Sequence, residues 1–217
     1  SLAVIEDDSL KDTKKDAEEG GDFKIIEISS LPDVEVGAKV EVRGMVTVLP
    51  GVFGSQYFYI HDTSEDGVEV YLYSKKFPSL SVNDFVSVRG VVTESNKRKR
   101  IKVAGKEGVR VVEKKNAVAP AERGVGDIGE EQVGNLVQIS GEIVDKKKSF
   151  FYVDDGSGEI MVSLKKGVVI KTDLLQKGDF IIVSGVVVPA KDGFSILPRS
   201  GGDILLAETS SSTVGVA

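Results

Sequence analysis

Four of the five tyrosines in this chain of 217 residues stand close together, at Tyr57, Tyr59, Tyr71 and Tyr73. They alternate with aliphatic residues. Between 56 and 61, Phe58 and Ile60 take one parity while Tyr57, Tyr59 and His61 take the other. Between 67 and 74, Val70 and Leu72 oppose Tyr71 and Tyr73 in the same way. In a strand, successive side chains point to opposite faces, so the aliphatic parity faces a core and the tyrosines face out. A turn at Thr63–Gly67 makes the two runs a hairpin and sets four phenol rings side by side. Cationic residues flank them in sequence: Arg43 on the outward parity of the preceding run, Lys75 and Lys76 just after Tyr73, and Lys97, Arg98, Lys99 and Arg100 further on. Aromatic rings stack on exposed bases at about 1–3 kcal/mol each, and Lys and Arg neutralise phosphates. The chemistry this combination suits is capture of a single nucleic-acid strand. A duplex hides its base faces and would meet only the charges.

Other chemistries lack their residues. There is no cysteine, which removes disulfides, thiol catalysis and cysteine-ligated zinc. His61 is the only histidine, and its strand–turn position reads as a surface residue beside a β-turn. Phosphate-loop and nucleophile-elbow motifs are missing. Asp154-Asp155-Gly156-Ser157-Gly158 is oxygen-rich, but it lacks the spacing and terminal glutamate of a calcium loop and reads as a tight turn. The expectation is a non-enzymatic protein without cofactor or metal. No apolar run approaches a membrane span, and Ser1–Gly20 has no apolar core of a signal peptide.

The elements that must carry these residues are short strands, and they occur twice. Asn83–Val92 (NDFVSVRGVV) matches Gly178–Val187 (GDFIIVSGVV), sharing Asp84/Asp179, Phe85/Phe180, Val88/Val183 and Gly90/Gly185. Phe58–Asp62 (FYIHD) matches Phe151–Asp155 (FYVDD), and Val42–Val46 matches Ile139–Ile143. Order is kept while spacing drifts by a few residues, as in duplicated domains of roughly 85 residues with different loops. Each copy has five β-type runs: 38–49, 56–61, 67–74, 84–93 and 99–112, then 135–145, 149–154, 158–165, 179–189 and 193–198. Five antiparallel strands come close to the minimum that closes a barrel and removes exposed edges. Glycines at 44, 90, 141 and 185 suit the sharp coiling of so small a barrel. Lys166–Lys177 is a candidate short helix; its counterpart Lys75–Val82 contains Pro78 and is not.

The pattern V-x-V-x-G-x-V, FYI-x-D, G-(V/I)-x-V, G-D-x-V-x-V-x-G resembles the nucleic-acid-binding OB-fold of the anticodon-binding type. Its flavour is that of the tandem modules accompanying bacterial secreted nucleases and lamin-tail-domain surface proteins. Leu197-Pro198-Arg199-Ser200 with the following Gly-Gly-Asp-Ile, and Pro50-Gly51-Val52-Phe53-Gly54, resemble parts of such modules. The resemblance spans about 25–112 and 127–206. It implies an all-β chain of two tandem five-stranded OB-fold Greek-key barrels, and an extracellular or cell-surface location in a bacterium. It also implies strands 2 and 3 as the binding face, with single-stranded DNA ahead of RNA as partner.

The expected organisation is a disordered charged tail at 1–22, barrel 1 at 23–115, a linker at 116–126, barrel 2 at 127–206 and a flexible tail at 207–217. The three charged portions differ: 1–22 carries a net −5, 23–115 a net +3 and 116–217 a net −4. A polyanion would therefore meet barrel 1 first. Barrel 2 repeats the aromatic face more thinly, with Phe150 and Tyr152 outward, Lys146–Lys148 before them and Lys165-Lys166 after the third run. The competing reading is structural. Tyrosine favours strands, cross-strand tyrosine pairs stabilise hairpins by about 0.2–1 kcal/mol, and KRKR suits a solvated hairpin tip. The second barrel or a linker covering the face would equally account for it. On that reading the chain is an interaction or spacer module joined to other protein domains of a larger surface protein, or an accessory to a nuclease domain elsewhere.

Overall fold

The computed structural model describes residues 23–207 apart from 64, 97, 115–116, 118 and 169–173. The tail expected at 1–22 lies outside them, as does nearly all of the one at 207–217. The first half holds β1 (Lys24–Ile25), β2 (Lys39–Val48), β3 (Tyr57–His61), β4 (Gly67–Tyr71), β5 (Asp84–Ser95), β6 (Arg98–Lys102) and β7 (Val109–Lys114). The second holds β8 (Ala121–Glu122), β9 (Leu136–Lys146), β10 (Phe150–Asp154), β11 (Glu159–Ser163), β12 (Phe180–Ala190), β13 (Gly193–Leu197) and β14 (Ile204–Leu206).

Each half closes on itself. In the first, β2 pairs with β3, β3 with β4, β4 with β6, β6 with β5, and β5 returns to β2. In the second, β9, β10, β11, β13 and β12 follow the same circuit, and β12 returns to β9. In both circuits only the third and fifth strands pair parallel; the other pairings are antiparallel. These are two OB-fold barrels with one topology. The sequence run at 99–112 is in fact two strands, β6 and β7, split by a 3-10 turn at Lys106–Gly108. Residues 169–173 of the candidate helix are outside the described residues; 75–82 contains no helix.

Period-two patterning is what fills the barrels. Phe58, Ile60, Val68, Val70, Val86, Val88, Val92 and Ile101 form the first core. Phe151, Val153, Ile160, Val162, Ile181, Val183, Val187 and Ile196 form the second. Burying each such side chain stabilises by about 1.5–3 kcal/mol. The repeated glycines answer to crowding in a five-stranded barrel. A Cβ on Gly90 would lie 2.7 Å from the Lys102 carbonyl oxygen, and one on Gly185 would lie 2.6 Å from that of Leu197.

The aspartates closing FYIHD and FYVDD also share a task. Asp62 Oδ2 accepts the Ile28 N–H (3.3 Å), and Asp155 Oδ2 accepts the Val125 N–H (2.8 Å). Each ties a 3-10 turn, Ile28–Asp33 or Val125–Asp127, to its barrel. The other oxygen of Asp155 accepts from the Ser157 N–H and hydroxyl, at 2.9 and 2.6 Å. The carboxylate is thus occupied in building the turn.

Candidate nucleic-acid interface

The outer face of β3, β4 and β6 is a small grid. Tyr57 lies opposite Tyr71, Tyr59 opposite Glu69 and His61 opposite Gly67. On the far side of β4, Tyr71 is level with Lys102. Arg100 reaches Glu69 at 3.0 Å. The tyrosine parity does face away from the barrel core, but it does not form an open platform.

The second barrel sits on one end of the grid. Tyr59 is only 3% exposed and packs with Val48 against Leu136 and Val186 of barrel 2. The expectation of an outward, accessible Tyr59 is corrected by this contact. Phe53 and Tyr57 stand edge-on to the Tyr59 ring, each with centroids 6.1 Å away. Burial pushes the Tyr59 phenol up, with Glu69 adding to the shift, so it stays protonated. Its hydroxyl donates to Glu69 Oε2 at 3.4 Å.

His61 is also not a surface residue, for it is 0% exposed. Its Nδ1 lies 2.6 Å from the Thr47 hydroxyl. Burial drives its pKa down to about 3, with Arg199 adding to the shift and the Gly134 backbone opposing it. Beside it, Gly67 meets Gly134 so closely that a Cβ on Gly67 would lie 2.1 Å from the Gly134 oxygen. Gly134 has φ +99°, a conformation that favours glycine. The Gly67 N–H donates to Asn135 Oδ1 at 3.0 Å, which fixes the contact. Arg199 is held by Asp203 through Nη2 (2.7 Å), Nε (3.0 Å) and its own N–H (2.7 Å). The Pro198-Arg199-Ser200-Gly201-Gly202-Asp203 segment is thereby explained as a folded corner.

What remains open is the Tyr71 end. The guanidinium of Arg100 stacks 4.0 Å from the Tyr71 ring centroid. Gln56 Nε2 donates to the Tyr71 hydroxyl (3.3 Å) and to the Tyr73 carbonyl (3.0 Å). Tyr73, just past β4, is 75% exposed. Lys75 and Lys76 are exposed beside it. Tyr57 is half-buried and donates its hydroxyl to the Phe53 carbonyl at 3.0 Å.

Arg98, Lys99 and Arg100 are strand residues of β6, not a solvated tip, and all three are partly buried. Lys97 lies outside the described residues. Burial lowers the Arg98 pKa, and Tyr59 and Glu69 act against that. The Lys99 ammonium donates to the Pro32 carbonyl. Arg43 is not brought to the tyrosines. It pairs with Glu41 at 3.0 Å on the β2–β5 side, where Arg89 (2.7 Å) and the Ser87 hydroxyl (3.0 Å) share the same carboxylate. Burial alone would raise the Glu41 pKa, but these partners hold it below the ordinary carboxylate range.

In barrel 2, Phe150 and Tyr152 form an edge-to-face pair, centroids 5.8 Å apart, and both are half-buried. Their cross-strand partners are Ser163 and Met161. Lys147 and Lys148 are exposed nearby, and Lys147 pairs with Asp145 at 3.1 Å. A cleft of about 370 Å³ runs between the barrels, lined by Tyr57, Tyr59, Glu69, Arg98, Lys99 and Arg100 on one side and by Lys165, Pro189 and Ala190 on the other. Gln56, Glu69 and Gly134-Asn135 were not singled out by the sequence. An acid between two tyrosine-bearing positions was the one available hint, and Asn135 stood only as the first residue of the run at 135–145.

No curated protein matches the chain. Among solved structures it is similar to the OBody AM1L10 bound to hen egg-white lysozyme (20% identity, 44% of this chain, 100% of that chain, TM-score 0.35). It is similar to the second OB-fold domain of replication protein A from Methanococcus maripaludis (20% identity, 42% of this chain, 98% of that chain, TM-score 0.31). It is also similar to asparaginyl-tRNA synthetase from Pyrococcus horikoshii (17% identity, 40% of this chain but 22% of the synthetase, TM-score 0.34). These likenesses concern fold alone. Residues 137–200 match the tRNA anticodon family model, described as an OB-fold nucleic acid binding domain. The second barrel is therefore similar to this OB-fold nucleic acid binding domain family, and the match falls within that barrel alone.

Proposed function

We propose that the chain is a non-enzymatic binder of single-stranded nucleic acid, and that the open end of the barrel 1 face is where bases stack. Tyr71, Tyr73 and the accessible edge of Tyr57 would meet bases, while Arg100, Arg98, Lys75 and Lys76 would meet phosphates. The observation that carries this reading is the Arg100 guanidinium over the Tyr71 ring, 4.0 Å from its centroid, beside an exposed Tyr73. A cation over a ring gives a base an aromatic surface with positive charge beside it. The family match at 137–200 supports nucleic acid as the ligand class. Tyr59 drops out as a stacking residue and becomes part of the scaffold; Arg43 lies in another charge cluster.

Fluorescence anisotropy with labelled oligothymidylate, the matching RNA and a duplex tests this. Preference for the single strand, lost on Tyr71→Ala without loss of the fold, is the expected outcome. Equal binding of duplex and single strand would leave only charge attraction. One observation favours the protein-interaction reading: one end of this face already serves as a protein contact, through Tyr59, Leu136 and Val186. Absence of any saturable nucleic-acid binding would promote that reading.

A further inference from the structure

The two barrels each present one aromatic pair, and the cleft between them is cationic. On the barrel 1 side, Arg98 and Arg100 line the cleft, with Glu69 as the one acidic residue in its wall among the described residues. On the barrel 2 side stands Lys165. Lys165 is exposed and continues the outward parity of Met161 and Ser163. The Leu164 N–H bonds the Ser149 carbonyl at 2.8 Å, so Lys165 lies at the Phe150 end of the β10–β11 hairpin. On the barrel 1 wall, the Arg100 guanidinium lies over the Tyr71 ring. The sequence of surfaces is thus aromatic, cationic, aromatic, and its central part is built from both barrels.

We propose that one strand of nucleic acid runs continuously across both barrels, its phosphates passing between Arg98, Arg100 and Lys165, with bases on Tyr71/Tyr73 at one end and on Phe150/Tyr152 at the other. This rests on the nucleic-acid reading above and adds the shared track and the role of Lys165. The barrels are held together by the packing of Tyr59 on Leu136 and Val186 and by the Gly67–Asn135 hydrogen bond. The second half of the track is therefore already positioned when the first is occupied. Linking two binding surfaces in this way raises affinity by about 10²–10⁴-fold over one surface alone.

The test compares labelled oligothymidylates of about 4 and about 20 nucleotides, since one OB barrel covers about 4–16. The intact chain should bind the long strand at least about tenfold more tightly than the short one, with one protein per strand end-to-end footprint. Lys165→Glu should remove most of that advantage and leave short-strand affinity within about threefold. The Phe150→Ala/Tyr152→Ala double variant should do the same, and if it fails to fold, Lys165→Glu decides alone. Lys114→Glu, on exposed β7 away from the cleft, controls for net charge and should change neither. If the intact chain binds but Lys165→Glu leaves the long-strand advantage whole, the shared track is overturned and barrel 1 acts alone. If the intact chain binds neither strand, the nucleic-acid reading falls and the track with it.

Discussion

Tyr59 and Tyr71 share a parity, a hairpin and an outer face, yet their substitutions should do different things. Tyr59 is sealed between the barrels, so Tyr59→Ala removes a buried ring and should destabilise by about 3–5 kcal/mol, read in a denaturant melt. Tyr71 is partly exposed beneath Arg100, so Tyr71→Ala should leave the melt nearly unchanged and weaken single-strand binding by about 1–3 kcal/mol, roughly 5–150-fold. Alternation made both side chains legible as outward. It could not show that residues near 136 and 186 would cover one of them, because that contact is set by how two closed barrels dock. His61 shows the same limit and adds a pH effect. Its pKa falls from about 6.5 unfolded to about 3 folded. Between those values the unfolded chain binds the extra proton, so stability is present above pH 6.5 and lost as pH falls. The loss approaches about 1.4 kcal/mol per pH unit, or about 2 kcal/mol between pH 6.5 and 5, a window above the ordinary carboxylate range. His61→Gln should flatten that part of a stability–pH curve; an unchanged slope would show that other groups cause it.

At the scale of elements, the docking contact depends on two glycines meeting backbone to backbone. Gly67→Ala places a Cβ 2.1 Å from the Gly134 backbone oxygen and 2.4 Å from the buried His61 Nε2, so the barrels must move apart locally. Amide exchange should quicken at Gly67, whose N–H is held by Asn135, while the barrel cores stay protected. Unchanged exchange there would mean the contact does not hold the barrels together. The repeat was readable because Gly90 and Gly185, and Asp62 and Asp155, each meet the same local need in both copies. The KRKR segment suited a solvated hairpin tip because charge patterning does not reveal that Arg98 and Arg100 sit on a strand. Arg100 is held there by Glu69 and the Tyr71 ring.

For the molecule as a whole, a net charge of −6 disguises where a polyanion would bind. The positive charge is local, in a cleft with Arg98 and Arg100 on one wall and Lys165 on the other. Each phosphate neutralised on a single strand contributes about −0.7 to the slope of log affinity against log salt. Five such contacts, at Arg98, Arg100, Lys75, Lys76 and Lys165, give a slope of about −3.5. The most direct test of nucleic-acid binding is therefore a titration of labelled single-stranded DNA against the intact chain at several salt concentrations, with duplex alongside. Saturable binding that prefers the single strand, falls with a slope of about −3.5 and is lost on Tyr71→Ala is the predicted result. No saturable binding at low salt, or binding indifferent to Tyr71, would contradict it.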